Sequence, residues 1–218
     1  MRRWLPALAI LILPAPSVPA QTPGVMIDKQ PATFASRMFD PASPPADMPL
    51  PYPGEDAECD SEFLSNASVG GRARQTDATH ATVTVTRIKI TLQLNVTTWL
   101  PANVTQHVIE HEDGHRQISD NFYRTADKLA AQIAGRFMGK QVVISGENLG
   151  AELGASLQKL GADISEEYKK ELNPEQAQLR FDAITDHSRN EVPAKDAVAQ
   201  ALKVKSRASP RPVAHSGN

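Results

Sequence analysis

The stretch from His80 to Thr98 reads HATVTVTRIKITLQLNVTT, and apolar residues alternate there with polar ones. Such a period of two predicts strands with one buried face. The apolar phase passes from odd to even positions at Arg87-Ile88, which a regular strand cannot do without turning one face over. We therefore predict a β-bulge or a break near Arg87. Trp99-Leu100-Pro101 is expected to end the strand, because proline removes a ladder donor.

Helical periodicity follows this stretch. Apolar residues recur at helical spacing from Val104 to about Phe137, and Gly139 is expected to stop that helix. A short apolar piece at 142–144 precedes a second helix, Leu149 to Leu172. Asn173-Pro174-Glu175-Gln176 predicts a third helix, because it combines a capping asparagine, an early proline and a glutamine three residues after the cap. Strands followed by helices indicate the α+β class, with a small antiparallel or mixed sheet and a helical C-terminal part.

The first 20 residues are typical of a secretory signal peptide. They combine a positively charged start, a short apolar run and small residues before a cleavage point after Ala20. The apolar run is too short to span a bilayer. We therefore expect an exported protein, periplasmic or secreted, with no stable membrane insertion after cleavage. An N-terminal anchor that stays uncleaved is the alternative.

Composition divides the rest of the chain. Residues 21–51 are rich in proline, which favours an extended linker or a pro-segment. Residues 201–218 offer little that could pack and are interpreted as a disordered tail. The domain is thus expected at 52–200. Removal of 21–51 together with Ala208 to Asn218 should leave the fold and the metal content intact.

Charge and cysteine content narrow the functional classes. The chain has 23 Lys and Arg residues against 25 Asp and Glu, a net charge of −2. Loss of residues 1–20 removes Arg2 and Arg3 and brings the net charge to about −4, so we expect no nucleic-acid partner. The single cysteine, Cys59, rules out an intramolecular disulfide. We interpret it as a free or intermolecular thiol; a thiolate that caps a metal is the less favoured alternative.

The chemistry is concentrated in His111-Glu112-Asp113-Gly114-His115 on the first predicted helix. Residues four apart share a helix face, so His111 and His115 can direct two imidazoles at one Zn²⁺ ion. Glu112 lies beside them and suits a general base, because the metal lowers the pKa of its bound water toward about 7. Gly114 weakens the helix by about 1 kcal/mol relative to alanine, which is explained if a neighbouring segment passes close by. A solvated helix face is the alternative interpretation.

A catalytic zinc ion commonly has three protein ligands, so a partner from another element is required. His107 is about 12 Å along the helix axis from His115, too far for both to reach one ion, and is interpreted as a cleft or surface residue. Among the other histidines, His80 precedes the strands and His215 lies in the tail. That leaves His187, which is expected at the end of the helix that begins at Asn173. Carboxylates remain open as ligands: Glu166, Glu167, Asp182 and Asp186. Asp182 and Asp186 also suit a supporting role, in which a carboxylate accepts the other N–H of a ligating imidazole.

Three segments together resemble a known family. They are the strand up to Trp99, the motif at 111–115 with Ile118 behind it, and Phe181-Asp182-Ala183-Ile184-Thr185-Asp186-His187-Ser188. The region from Gly70 to Asn190 is similar to a bacterial family of secreted zinc-dependent peptidases classified as a domain of unknown function. Phe181 stands where that family has tyrosine, and Ser188 where it has glycine.

The resemblance implies a zincin-like fold, a zinc-dependent endopeptidase and a peptide or protein substrate. It favours His187 as the third zinc ligand, with Asp182 and Asp186 as supporting carboxylates. The strand from Ile88 to Val96 is expected to pair with an extended substrate. The alternative function is a non-catalytic metal-binding or envelope interaction protein that retains the fold. One observation favours this alternative. The chain has three tyrosines, Tyr52, Tyr123 and Tyr168, and none has a spacing that places it near the metal. The sequence indicates no oligomeric state.

Overall fold

The structure is a computed structural model that describes residues 24–50 and 57–203. The predicted signal peptide and most of the predicted tail lie outside the described residues. The strands are β1 (Gly24–Lys29), β2 (Thr33–Phe39), β3 (Glu58–Gln75), β4 (His80–Pro101) and β5 (Gln141–Ser145). The helices are α1 (Gln106–Arg124), α2 (Ala126–Phe137), α3 (Leu149–Leu172), α4 (Glu175–Thr185) and α5 (Ala194–Ala201). The predicted α+β class is confirmed.

The long strand β4 is the centre of a five-stranded mixed sheet. Along one edge it pairs with β3 in antiparallel register over almost its whole length. Along the other edge three short strands follow one another: β5 opposite 80–84, β1 opposite 87–92 and β2 opposite 95–101. β5 is antiparallel to β4, whereas β1 and β2 are parallel to it. Both edges of β4 are therefore occupied by backbone hydrogen bonds.

The predicted irregularity near Arg87 is a β-bulge. Gly70 of β3 pairs with Arg87 and Gly71 pairs with Val85, so Thr86 has no partner of its own in this ladder. The extra residue changes the phase of the strand. As a result Val85 and Ile88 are both buried, although one has an odd and the other an even number.

One face of the sheet is covered by helices and forms the main core. Buried β4 side chains such as Ile90 and Leu92 pack there against Ile133 of α2 and against Ile164 and Tyr168 of α3. Burial of a large aliphatic side chain contributes about 1.5–3 kcal/mol. At the end of α1, the Tyr123 hydroxyl lies 2.7 Å from the Gln30 carbonyl oxygen and 3.0 Å from that of Leu92, which links α1 to the sheet. None of the helices in the described part of the chain is long and apolar enough to cross a membrane.

The interpretation of residues 21–51 as a linker or pro-segment needs correction. Residues 24–29 and 33–39 are strands of the sheet. The proline-rich composition was misleading because Pro31 lies between the two strands and Pro41 follows the second. β2 is exposed at all but its last residue, so it lacks the buried alternation that marks β4.

The helical predictions hold with two differences. Leu149–Leu172 forms one helix as expected, and α2 ends at Phe137 before Gly139. The single helix expected from Val104 to Phe137 is instead two, because the chain leaves helical geometry at Thr125 (φ −108°, ψ 7°). α4 ends at Thr185, so His187 lies beyond the helix.

Deletion of residues 21–39 is expected to destabilise the fold strongly. It removes the two strands that pair with β4 at 87–92 and 95–101. Each lost backbone hydrogen bond costs about 0.5–1.5 kcal/mol. Chemical denaturation followed by circular dichroism should show a large loss of unfolding free energy together with aggregation. Deletion of 208–218 is the matched control and should have no such effect. An unchanged transition after the first deletion would contradict the pairing of β1 and β2 with β4.

Candidate metal centre

Helix α1 places the two motif histidines side by side. The helix begins after Thr105, whose side chain accepts a hydrogen bond from the Val108 backbone N–H. The spacing of four residues brings the Nε2 atoms of His111 and His115 to 3.2 Å from each other. His111 is buried, with 3% of its surface exposed. Two imidazole nitrogens thus face the same small volume inside the protein.

Asp182 of α4 supplies a third ligand atom. Its Oδ1 lies 2.8 Å from Nε2 of His115 and 3.5 Å from Nε2 of His111. The ligand atoms of the three residues all lie within 4.8 Å of one another. Within the described residues this is the one group of three or more His, Cys, Asp or Glu side chains that could hold a metal ion.

The separations within this group suit a small divalent cation. Tetrahedral ligands at 2.0–2.1 Å from a metal are about 3.3–3.4 Å apart, and octahedral neighbours about 3.0 Å apart. The three measured separations bracket these values. Asp182 Oδ1 is also buried without a hydrogen-bond partner among the described residues, and its contact with His115 Nε2 is an ion pair. A cation would satisfy this buried oxygen.

Gln178, one turn before Asp182 on α4, fixes the tautomer of His115. Its side-chain amide donates to the His115 carbonyl oxygen at 3.2 Å and to Ser119 Oγ at 3.0 Å. Its Oε1 is therefore the acceptor that faces His115 Nδ1 at 2.8 Å. Nδ1 then carries the proton, and Nε2 of the neutral ring presents its lone pair to the group.

Phe181 and Gly114 explain how α4 comes so close to α1. The Phe181 ring stacks on His111 (centroids 4.9 Å apart, planes at 28°) and meets His115 edge-on. A Cβ at position 114 would lie 2.9 Å from Phe181 Cε2 and closer still to Cζ. Gly114 is thus required by the packing of α4, as expected for a glycine that admits a neighbouring segment.

A cleft of about 550 Å³ opens beside the group. Its walls come from β3, α1, α4 and the segment after α4, and the chemically relevant lining residues are Cys59, Ser61, Glu112, His115, Asp182 and His187. Glu112 is only 3% exposed. The acid of the motif is therefore in the same cleft as the candidate ligands.

Charges in the group shift several pKa values. Burial lowers the pKa of His115, but the contact and charge of Asp182 and the charge of Glu112 raise it to about 9. Burial raises the pKa of Asp182, yet the two imidazoles bring it well below its usual range. Burial, followed by the charge of Glu112, raises the pKa of the Cys59 thiol to about 12. The carboxylates of Asp182 and Glu112 thus favour a positive charge at His115, and a bound cation would compete with the proton for Nε2.

The other residues considered in the sequence lie elsewhere. His187 lines the cleft but is not among the three grouped ligand residues. Asp182 takes the third place in the group, which the sequence analysis assigned to His187. Asp186 is exposed at the C-cap of α4. His107 and Glu166 are exposed, and Glu167 lies 2.6 Å from Arg136. Cys59 lines the cleft without belonging to the group.

Sequence reasoning missed Gln178 and Ser119 as supports of the site. Both follow the same spacing as the histidines: Ser119 is four residues after His115, and Gln178 is four before Asp182. Residues four apart share a helix face, so this spacing was the available signal. A face of α4 that carries both an amide and a carboxylate meets the histidine face of α1.

Comparison of the chain with protein-family models, with curated proteins and with solved structures gives no match. The resemblance to a peptidase family therefore stays a prediction. The assignment of a candidate metal centre rests on the geometry of His111, His115 and Asp182.

Gly114→Ala is expected to lower the free energy of unfolding by about 1–3 kcal/mol, because the added methyl group displaces the Phe181 ring. The matched control is Gly154→Ala on α3, where a Cβ has nothing within 4 Å. That variant should gain up to about 1 kcal/mol from its higher helix propensity. Chemical denaturation measures both. Equal stability of Gly114→Ala and wild type would contradict the packing described here.

Gln178→Leu is expected to weaken binding of Zn²⁺, used as the probe cation, by about 10- to 100-fold, because Nδ1 of His115 loses its acceptor. Gln178→Glu retains an acceptor at the same place and should bind Zn²⁺ more tightly than the leucine variant. Competition with a fluorescent chelator measures both affinities. If Gln178→Leu binds like wild type, Gln178 does not orient the ligand.

Proposed function

We propose that this protein is an exported zinc-dependent peptidase with a zincin-like site. His111, His115 and Asp182 hold the metal, and Glu112 is the general base. The observation that carries the proposal is the position of Glu112: a buried carboxylate, adjacent in sequence to one ligand, that lines the same cleft as His115 and Asp182. Asp182 replaces His187 as the proposed third ligand.

The metal, Glu112 and Gln178 have different roles in amide hydrolysis. When bound, Zn²⁺ supplies Lewis-acid chemistry, which polarises the scissile carbonyl and acidifies the attacking water. Glu112 accepts a proton from that water and returns it to the leaving nitrogen. The contact with Gln178 keeps the His115 ring in one orientation throughout, so that the ligand set stays preorganised.

The choice of zinc rests on Glu112 rather than on distances. Two histidines and one carboxylate also form the ligand set of non-haem iron sites. A buried carboxylate beside the ligands has a role in hydrolysis, where a proton must be taken from water. The combination of the two-histidine helix motif with that acid favours Zn²⁺.

The prediction that Ile88 to Val96 binds the substrate needs correction. Ile88 to Val96 of β4 cannot pair with a substrate, because β3 occupies one edge and β1 and β2 occupy the other. β3 pairs with a strand on one side alone within the described residues. The backbone N–H of Ala67 points to its outer edge, where it donates to Ser165 Oγ of α3. By the strand period of two, the backbone groups of Cys59 and Ser61 face the same outer edge. Both residues line the cleft.

We therefore place an extended peptide along the Cys59–Ser61 edge of β3. Further along the strand the same edge is covered by α3, where Gly161 lies against the Ala67 carbonyl. The Cys59–Ser61 part of the edge borders the cleft that also holds His115 and Asp182. A peptide paired there by backbone hydrogen bonds would present a carbonyl next to Glu112.

A non-catalytic metal-binding protein is the second candidate. The observation in its favour concerns the tyrosines, which in a peptidase could bind the oxygen of the scissile carbonyl. Tyr123 and Tyr168 belong to the main hydrophobic core, and Tyr52 lies outside the described residues. No tyrosine among the cleft residues that the structure describes is available for this role.

Glu112→Gln separates the two candidates. The amide keeps the shape of the side chain but cannot accept the proton, so the variant should retain bound zinc and lose at least about 100-fold in the rate of peptide hydrolysis. The measurement is digestion of a broad peptide library by zinc-loaded protein, with metal content determined alongside.

Glu110→Gln is the matched control, because Glu110 is exposed on the same helix and its Oε1 is held by Gln106. It should digest the library like wild type. Unchanged hydrolysis by Glu112→Gln would refute the base assignment. Absence of hydrolysis by metal-loaded wild type would favour the non-catalytic candidate.

A further inference from the structure

The turn after α4 has an unusual backbone. Asp186, His187 and Ser188 follow one another with φ values of 47°, 52° and 62°. The left-handed conformation costs about 1–2 kcal/mol for a residue with a Cβ, and here three such residues are consecutive. Conformations of this kind persist only where the surroundings enforce them, and they cluster at functional sites.

Hydrogen bonds from both sides hold the turn. The Asp182 carbonyl oxygen accepts from the backbone N–H of Asp186 and, at 3.1 Å, from that of His187. At its other end the Asn190 side chain donates to the Ile184 carbonyl oxygen at 2.8 Å. The turn is therefore tied directly to the backbone of a proposed metal ligand. Its position relative to the metal group is fixed.

The side chain that this turn brings to the cleft is His187. It is not one of the three grouped ligand residues. Two other described residues of the cleft lining carry side-chain N–H donors, His115 and Gln178. His115 belongs to the metal group, and the Gln178 amide already donates to the His115 carbonyl oxygen and to Ser119. Lysine and arginine do not occur in that lining. An imidazole has two nitrogens, so one can face a substrate while the other contacts the protein.

We propose that His187 is a catalytic residue of this site and donates a hydrogen bond to the oxygen of the scissile carbonyl as that oxygen gains negative charge. The inference rests on the proposed peptidase function. It assigns to His187 the role for which the cleft has no tyrosine, and it accounts for the strained turn. A preorganised donor aimed at the developing charge speeds acyl transfer by about 100- to 1,000-fold.

The test uses the full chain loaded with zinc and a dipeptide phosphonate, whose tetrahedral anion resembles the hydrated amide. His187→Ala should keep one zinc per chain, bind the phosphonate about 10- to 100-fold more weakly, and lose about 100-fold or more in kcat with a smaller change in KM. His187→Asn, which tolerates the left-handed conformation, should also keep zinc. Because its amide can donate a hydrogen bond, its phosphonate affinity should lie between those of His187→Ala and wild type. His107 is exposed on α1, so His107→Ala is the control. It should leave zinc content, phosphonate affinity, kcat and KM unchanged.

The outcomes distinguish this inference from the proposed function. Loss of zinc from His187→Ala and His187→Asn would make His187 a ligand and overturn the inference. Phosphonate affinity equal to that of wild type, or no phosphonate binding by wild type, would overturn it as well. If wild type hydrolyses no peptide, the peptidase function and the catalytic role of His187 both fail, even when phosphonate binding depends on His187. If wild type hydrolyses peptides and phosphonate binding does not depend on His187, the peptidase function stands and the inference about His187 fails.

Discussion

The contact between Phe181 and the bare backbone of Gly114 determines the arrangement of the whole site. A ring that occupies the space of a missing Cβ brings α4 against the histidine face of α1. The residue after Phe181 is then Asp182, whose oxygen reaches both Nε2 atoms. A side chain at 114 would overlap the Phe181 ring, so the ring or the helix must shift. The metal group is thus a consequence of helix packing as much as of the motif that carries its histidines.

The sheet supplies the other fixed reference. β4 ends at Pro101 and α1 begins at Gln106, so the histidine helix starts a few residues after the strand that centres the fold. On the other side of the cleft, Ser61 of β3 lies 2.8 Å, Oγ to Oγ, from Ser119 of α1. Since Ser119 also accepts from Gln178, one small polar network joins β3, α1 and α4. This network couples the position of β3 and α1 to the orientation of the His115 ring, which Gln178 also contacts.

Local periodicity was sufficient for several elements and failed for others. The bulge near Arg87, the span of α3 and the pairing of His111 with His115 depend on neighbours within a few residues, so the sequence alone predicted them. β1 and β2 were missed because β2 is exposed and its partner is distant in sequence. The choice between Asp182 and His187 depends on where the chain turns after Thr185. Three left-handed residues without glycine have no clear sequence signal there.

The parallel pairing of β1 and β2 also sets the order in which this chain can fold. Their partners on β4 occur on the order of 60 residues later in the chain, whereas β3 meets β4 across a short hairpin. Contacts that distant form late, because loop closure must precede them. During that interval the β3–β4 hairpin exposes the edge of β4 from 87 to 101, a template for strands of other chains. The two N-terminal strands therefore complete the sheet and also shield this edge of its central strand from other chains.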